Sequence, residues 1–385
     1  SPAINVVEVP IRRKDMENSG RHYFVNISIG SPQAQPFELL VDTGSSDMWV
    51  YGMNYYNPRN SSTGKILPLP HFEANYSAGT FKGHYVTDYL NIGSRTVRHA
   101  EFAMIDKGEG PTGVGGLLAL GFDTSQFAPQ PSSTSRYFHP TILDQMYNES
   151  IIDSRTFGIY LGKADEGKLA SSDDGHTENN TYNISDQGSL ILGGYDKSKF
   201  LDPLLRFTIT SPSTMKRLGV PLTTITATIS GVVIPIWTAS TDREAPNNDR
   251  FIPAIFDSGD EMANIPPHAY IELLKHLQLY IVDGLIDCRY KTANISVNFT
   301  FMSQTVPFIV QVPFSELVLP ILSCNDTQCL FALQSGFRER RSSPWLNMGS
   351  SVLSSLYMLV DYDLDAIYLA KSRRGAEAKI VAINH

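Results

Sequence analysis

The sequence has few cysteines, no long apolar run and no excess of basic residues. Three cysteines among 385 residues are too few for a disulfide-dense scaffold. No stretch of about 18 apolar residues occurs, so the sequence predicts no membrane span. Lys and Arg number 31 against 39 Asp and Glu, giving a net charge of -8. This acidic balance argues against a nucleic-acid binder, which needs a basic face.

Short apolar runs rich in β-branched and aromatic residues recur along the chain, separated by Gly, Pro, Asn and Ser. This pattern predicts a mostly-β protein. Helical signals are few: apolar spacing predicts a helix over Pro267–Leu279, and shorter candidates lie at Thr141–Met146 and Ser351–Met358. A chain of this length also predicts two lobes rather than one core.

An internal repeat is the most informative feature. An apolar strand ending in Asp42–Gly44, with the sequence Asp-Thr-Gly, recurs in the second half as one ending in Asp257–Gly259, with the sequence Asp-Ser-Gly. A second paired motif follows each copy, at Gly116–Phe122 and at Trp345–Ser350. One such strand and turn is common, but two copies with a paired motif behind each indicate a duplicated half.

The chemistry of this repeat follows from two strand tips that face each other. Glycine lets the backbone approach each carboxylate closely. Two carboxylates about 3 Å apart cannot both ionise, so they share one proton. The ionised group then acts as general base on a water, and the protonated group donates to the scissile carbonyl. The sequence therefore predicts Asp42 and Asp257 as a catalytic dyad. The nine histidines show no metal-ligand spacing, so neither a metal nor a cofactor is predicted.

The segment Asp42–Val50 closely resembles the first active-site segment of the pepsin-like aspartic proteases, and Tyr23–Pro32 resembles the lead-in to it. The resemblance covers essentially the whole chain and is nearest to fungal secreted members. It implies a mostly-β, bilobal fold with two β-barrel-like lobes, a cleft and a flap. The lobes are expected over residues 1–195 and 196–385, each with one catalytic Asp. The implied activity is an endopeptidase that cleaves extended peptides at acidic pH.

The resemblance also implies roles for residues around the dyad. Tyr76 would be the flap tyrosine with Trp49 as its hydrogen-bond partner, and Ser45 would support the Asp42 carboxylate. The full implied substrate-binding set is Gly44, Ser45, Trp49, Tyr76, Ser77, Ala78, Gly79, Gly259 and Asp260.

The cysteines all lie toward the end of the chain. Pairing Cys288 with either Cys324 or Cys329 would close a loop of roughly 40 residues, which typically contributes about 3 to 4 kcal/mol. The residues by themselves leave both partners open. The resemblance implies a bridge from Cys288 to Cys329, with Cys324 as the remaining thiol.

Asp260 departs from the family pattern. The second motif usually continues with Ser or Thr, whose hydroxyl donates to the outer oxygen of the second catalytic Asp. An ionised Asp260 cannot donate, and it would raise the proton affinity of Asp257. Three arrangements are open: Asp260 repels the dyad, it is protonated and donates, or it swings away.

This departure leaves three functional hypotheses. The first is an acid-active aspartic endopeptidase, and the second is a pepsin-fold binding or inhibitory protein with impaired turnover. The third is an enzyme of this fold repurposed for a non-peptide small molecule.

The expected location is secreted, or in the secretory pathway or vacuole. The chain starts at Ser1 without Met or signal peptide, as expected of a mature or trimmed product. Asn-x-Ser/Thr sequons occur throughout, and Asn179 and Asn183 lie in a polar run that reads as an exposed loop. A glycoprotein that acts as a monomer on peptide or protein substrates is predicted.

Overall fold

A computed structural model describes most of the chain, in residues 5–16, 20–52, 55–69, 71–76, 79–108, 114–122, 139–162, 187–210, 217–242, 250–321, 327–338, 344–374 and 377–385. Several residues singled out from the sequence lie outside these ranges, namely Ser77, Ala78, Asn179, Asn183 and Cys324.

The described residues form a mostly-β fold. The first twelve strands are β1 (Val7–Met16), β2 (Gly20–Ile29), β3 (Gln35–Asp42), β4 (Trp49–Tyr51), β5 (Lys65–Ile66), β6 (Phe72–Tyr76), β7 (Gly79–Ile92), β8 (Arg95–Lys107), β9 (Gly116–Ala119), β10 (Thr156–Tyr160), β11 (Gly188–Leu192) and β12 (Gly194–Asp196).

Fifteen further strands follow in the second half of the described chain. They are β13 (Phe200–Thr208), β14 (Gly219–Ile229), β15 (Val232–Thr238), β16 (Ile252–Asp257), β17 (Ala263–Ile265), β18 (Leu285–Asp287), β19 (Ile295–Met302), β20 (Pro307–Pro313), β21 (Val318–Pro320), β22 (Gln328–Phe331), β23 (Leu333–Ser335), β24 (Leu346–Gly349), β25 (Leu356–Asp361), β26 (Ala366–Ser372) and β27 (Ile380–Ala382). The described helices are α1 (Ile142–Asn148), α2 (Pro267–Leu277), α3 (Phe314–Leu317) and α4 (Ser350–Leu353).

The largest sheet joins both halves of the chain. Its order is β13-β26-β25-β10-β11-β1-β2-β3-β9-β4-β8-β7-β5, with β6 paired to β7. A six-stranded sheet in the second half has the order β20-β19-β14-β16-β24, with β15 paired to β14. The architecture is bilobal, but because the large sheet contains strands from both halves, the division at residue 195 stays a prediction.

The two paired motifs of the repeat are neighbouring parallel strands. In the first half β3 pairs with β9, so Asp42 lies beside Ala119. In the second half β16 pairs in the same sense with β24, so Asp257 lies beside Gly349. The apolar residues of these strands, such as Val41, Leu118 and Phe256, are fully buried in the main core. The repeat therefore encodes two equivalent strand pairs, each ending at a carboxylate.

Two of the three predicted helices are found with different bounds. The third prediction is partly wrong. Helix α1 begins after Thr141, which forms a capping box with Asp144. Helix α2 ends where Gln278 adopts a left-handed conformation with φ 51. The prediction of a helix over Ser351–Met358 is wrong beyond Leu353, because the buried apolar run from Leu356 pairs with β10 and β26 as a strand. Among the described residues, no helix has the length and apolar character needed to cross a membrane.

The structure pairs Cys288 with Cys329, the partner that the resemblance implies. Their Cα atoms are 5.1 Å apart, and the bridge closes a sequence separation of 41 residues. Cys329 lies on β22 opposite Ile286 of β18, and Cys288 immediately follows β18. The bridge thus reinforces a strand pairing that already exists.

We expect a single reactive thiol per chain, at Cys324, because the other two cysteines are bonded. Alkylation of the unreduced protein, native or unfolded, followed by peptide mapping, should place the label on Cys324. The Cys324→Ser variant should take up no label without a reductant. A label on Cys288 or Cys329 in unreduced protein would show that the bridge is assigned wrongly.

Candidate active site

The side chains of Thr43 and Ser258 join the ends of β3 and β16 by hydrogen bonds. The Thr43 backbone N–H donates to Ser258 Oγ at 3.1 Å, and the Ser258 N–H donates to Thr43 Oγ1 at 3.0 Å. Each hydroxyl then donates to a backbone carbonyl of the opposite strand, Thr43 to Phe256 at 2.9 Å and Ser258 to Val41 at 2.7 Å. All four bonds are buried, so they hold the two strand tips in one fixed relation.

The two aspartates lie at these tips. Asp42 is 6% exposed and accepts hydrogen bonds from the Gly44 N–H at 2.7 Å and from the Ser45 hydroxyl. Asp257 accepts the equivalent bond from the Gly259 N–H at 3.0 Å. Among the described residues, no side-chain hydroxyl serves Asp257 as Ser45 serves Asp42. The site is therefore pseudo-symmetric in its backbone but asymmetric in its side-chain donors.

The glycines of both motifs are required by the closeness of the carboxylates. A Cβ at Gly44 would lie 2.4 Å from Asp257 Cγ, and a Cβ at Gly259 would lie 2.7 Å from Asp42 Oδ1. Each carboxylate therefore packs against the glycine of the opposite motif. The structure brings Asp42, Gly44, Asp257 and Gly259 together.

This proximity changes the acidity of the pair. Burial raises the pKa of Asp257 well above its ordinary value, and the neighbouring Asp42 adds to the rise through its charge and a hydrogen bond. The charge of Asp260 also raises the pKa of Asp257, while that of Arg217 lowers it. A proton is thus retained on the pair at a pH where an isolated aspartate would be ionised.

Asp260 is held by residues other than the two aspartates. Its Oδ2 accepts from Arg338 Nη2 at 2.5 Å and from Asn347 Nδ2 at 3.0 Å, and its Oδ1 accepts from the Met262 N–H at 2.9 Å. Arg338 is held in turn by Asn264. All these contacts use Asp260 as an acceptor, so none of them supplies the donated hydrogen bond that the family pattern has at this position. Its charge nonetheless acts on Asp257, as the repulsion hypothesis requires.

A second acidic group lies beside Asp260. Burial raises the pKa of Glu261 to about 7, and the Asp260 charge adds to this rise. Glu261 Oε2 lies 3.7 Å from His22 Nε2. Burial also raises the pKa of Asp260, against the lowering effects of the Met262 N–H, Arg338 and His22. An ionic cluster therefore stands at the position where the family pattern has a single hydroxyl residue.

A β-hairpin formed by β6 and β7 lies over the dyad as the flap. Tyr76, at the end of β6, accepts a hydrogen bond from Trp49 Nε1 at 3.2 Å and also hydrogen-bonds Ser45. Trp49 of β4 stacks on Phe81 of β7, with ring centroids 5.0 Å apart. Gly79 begins β7 with φ 143, a conformation that favours glycine. Side chains thus connect the flap to Asp42 through Tyr76 and Ser45.

The cleft between flap and dyad has a volume of about 310 Å³ and is lined from both halves of the chain. Its walls include two residues that the sequence analysis missed, Arg217 and Trp345. The Arg217 guanidinium lies 5.1 Å from the Trp345 ring centroid and donates to the Gly44 carbonyl at 3.1 Å. No motif marks Arg217, whereas Trp345 and Asn347 lie in the second paired motif and could have been proposed from it.

Asp47 is a buried carboxyl within the segment Asp42–Val50, and no role was predicted for it from the sequence. It is 2% exposed, and its Oδ1 has no hydrogen-bond partner among the described residues. Burial raises its pKa to about 6, and the charge of His139 acts in the opposite direction. Its charge also acts on Tyr76, whose pKa is raised by burial, then by Asp47 and by Asp42. Ionising Asp47 is therefore unfavourable in the folded protein.

A bilobal β fold with a carboxylate dyad where the two halves meet, covered by a hairpin flap, defines the pepsin-like aspartic proteases. The model of the eukaryotic aspartyl protease family matches residues 22–372. The chain therefore belongs to the eukaryotic aspartyl protease family.

Distantly related fungal proteins are among its relatives. It is 24% identical to the probable aspartic-type endopeptidase opsB of Aspergillus fumigatus, over 95% of this chain and 73% of that protein. It is 23% identical to secreted aspartic protease 1 of Candida albicans, over 96% of this chain and 85% of that protein. The crystal structure of aspartic proteinase from Irpex lacteus matches the fold with a TM-score of 0.72, over 96% of this chain and 98% of that chain, at 19% identity.

We expect the stability of the folded protein to decrease as the pH rises, in part because of Asp47. A carboxyl whose folded pKa is raised to about 6 contributes stability that is fully present below its unfolded value and is lost as the pH rises through 6. Asp47→Asn should reduce this loss by up to roughly 3 kcal/mol between about pH 4 and pH 7. Urea unfolding at a series of pH values measures it.

The matched control for this prediction is Glu8→Gln, which removes an exposed carboxylate. It should leave the pH dependence of the unfolding free energy as in the wild type. Some dependence should persist in Asp47→Asn, because the pKa values of Asp257 and Glu261 are also raised. If Asp47→Asn and the wild type have the same pH dependence, the assignment to Asp47 is wrong.

Proposed function

We propose that this protein is an aspartic endopeptidase that cleaves peptide bonds by general acid–base attack of water at acidic pH. The observation that carries the proposal is the pair of carboxylates, Asp42 and Asp257, held together by the reciprocal bonds of Thr43 and Ser258. In this arrangement the pair retains one proton and provides one acid and one base.

The roles of the two carboxyls follow from their surroundings. Asp257 retains the shared proton, because burial and the charges of Asp42 and Asp260 disfavour its ionised form. Asp42 accepts bonds from the Gly44 N–H and the Ser45 hydroxyl, which stabilise a carboxylate. Asp42 then removes a proton from the attacking water, while Asp257 donates to the scissile carbonyl oxygen. When the tetrahedral intermediate collapses, Asp42 gives the proton it took from water to the amine nitrogen, the carbon–nitrogen bond breaks, and Asp257 takes back a proton from the intermediate's hydroxyl.

The substrate is proposed to be a peptide in extended conformation. The flap is a β-hairpin beside the cleft, and a strand-like substrate would hydrogen-bond to such backbone. Aromatic side chains of Trp49, Tyr76 and Phe81 form an apolar wall on the flap side, whereas Asp260 and Arg338 form a charged wall on the other. Peptide side chains of different polarity would therefore fit on the two sides.

We also propose that the protein is secreted as a glycosylated monomer. The structure contains a disulfide, which persists in oxidising compartments. Sequon asparagines at Asn60, Asn148 and Asn294 are exposed. A relative of this chain carries the name secreted aspartic protease 1. These features support residence in the secretory pathway, the vacuole or the medium.

Asp42→Asn should abolish peptide cleavage, because the amide cannot act as the base. The wild type is expected to cleave an unstructured peptide between about pH 3 and pH 6, where a carboxylate pair holds one proton. Cleavage is measured by mass spectrometry of the products, and binding of a statine-type analogue by calorimetry. Tight analogue binding by a wild type that never cleaves would favour the binding or inhibitory hypothesis. Neither binding nor cleavage would favour a repurposed enzyme.

Asp260→Thr should move the alkaline limb of the pH–kcat/KM profile to lower pH, by roughly one unit. The substitution removes a charge that raises the pKa of Asp257, and it introduces a hydroxyl able to donate to the outer oxygen of that carboxyl. Asp260→Asn is the matched control, since it removes the charge and supplies no such hydroxyl. It should give a smaller shift in the same direction. Unchanged profiles for both variants would exclude an influence of Asp260 on the dyad.

A further inference from the structure

Two arginines line the cleft that contains the dyad, and they differ in what they contact. Arg338 donates to the Asp260 carboxylate at 2.5 Å, so its charge is paired with an anion of the protein. Arg217 donates to the Gly44 carbonyl oxygen at 3.1 Å, and its guanidinium lies over the Trp345 ring. A neutral oxygen and an aromatic face hold a guanidinium in place without neutralising its charge.

The backbone around Arg217 is tied to the second active-site strand. The next residue, Leu218, is buried, and its carbonyl accepts from the Phe256 N–H of β16 at 2.9 Å. The side chain of Arg217 reaches from there to Gly44 of the first motif, where an added Cβ would lie 2.4 Å from Asp257 Cγ. The guanidinium is therefore held beside both active-site segments, close to the position of a scissile bond.

The chemistry of this position favours an anionic group on the substrate. An arginine stays protonated throughout the working range of pH, and its planar fork of N–H donors matches the two oxygens of a carboxylate. An ionised carboxylate bound near the dyad would otherwise be repelled by the negative charge that Asp42 carries. The charge of Arg217 already acts within this part of the cleft, since it lowers the pKa of Asp257. It would act in the same way on an anion of a bound peptide.

We propose that Arg217 is a specificity residue that binds an ionised carboxylate of the peptide substrate beside the dyad. The proposal rests on the proposed peptidase function and adds a substrate class to it. Either an acidic side chain close to the scissile bond or a C-terminus a few residues beyond it supplies the carboxylate, because both present the same pair of oxygens. Arg338 is not expected to do the same, because its charge is paired with Asp260.

Matched peptides test the proposal on the full chain. In an unstructured peptide that the wild type cleaves, each residue around the scissile bond is replaced in turn by Glu or Gln. Shortened peptides are made with a free or an amidated C-terminus. At about pH 5 we expect kcat/KM to be about ten-fold higher for Glu than for Gln at one position, or for the acid than for the amide. The ratio should approach one toward about pH 3, where the carboxylate gains a proton.

Three variants assign this preference. Arg217→Gln should bring the ratio to one or below it, because the dyad then repels the carboxylate. Arg217→Lys keeps the charge but loses the planar fork, so part of the preference should remain. Arg338→Gln is the matched control and should keep the full preference. Any effect of Arg217 on the dyad itself cancels in the ratio, because both peptides meet the same dyad.

Two results would overturn the proposal. One is a wild type that cleaves peptides without any preference for a carboxylate. The other is a preference that survives in Arg217→Gln, whose folding is checked by urea unfolding. If that variant does not fold, Arg217→Lys must still lower the ratio, and an unchanged ratio would be equally decisive.

Binding separates failure of this proposal from failure of the peptidase assignment. Statine-type analogues that carry Glu or Gln, with a free or an amidated C-terminus, are titrated into the wild type and Arg217→Gln by calorimetry. Without cleavage, about ten-fold tighter binding of a carboxylate analogue that Arg217→Gln abolishes would refute the peptidase and support the role of Arg217. Cleavage with equal binding of all analogues would leave the peptidase and refute that role. Neither cleavage nor binding would refute both.

Discussion

The reciprocal hydrogen bonds between Thr43 and Ser258 are the constraint on which the rest of the site depends. They join the two halves of the chain where β3 and β16 end, and their buried position makes them resistant to exchange with water. Because the strand tips cannot separate, the two carboxylates stay beside each other at a cost in electrostatic repulsion. That repulsion is relieved when the pair retains one proton, consistent with the raised pKa of Asp257.

The same fold places other carboxyls in surroundings that favour protonation. Burial raises the pKa of Asp47 to about 6 and that of Glu261 to about 7. Both lie close to the dyad in sequence, and both become unfavourable when ionised. The raised pKa values of these carboxyls therefore favour the stability of the fold in an acidic range, which is also the range in which the proposed dyad would hold one proton.

Asp260 illustrates how the structure changes the interpretation of a substitution. The sequence predicts that a carboxylate at this position disturbs Asp257, but it leaves three arrangements open. The Asp260 carboxylate accepts bonds from Arg338 and Asn347, which lie 78 and 87 residues further along the chain. The missing hydroxyl donor is therefore combined with a charge that raises the pKa of Asp257. The two carboxylates still lie side by side.

Much of this protein could be predicted from residues that are adjacent in the chain. The two Asp-(Thr/Ser)-Gly strand ends, the predicted dyad and the mostly-β fold depend on local patterns, whereas the flap tyrosine with Trp49 was implied by the family resemblance. The helix predicted beyond Leu353 was wrong, because burial in a sheet outweighed a weak local spacing. The direction of Asp260, the place of Arg217 beside Gly44 and the burial of Asp47 required the tertiary structure. These features depend on partners distant in sequence, and only the folded chain brings such partners within hydrogen-bonding distance.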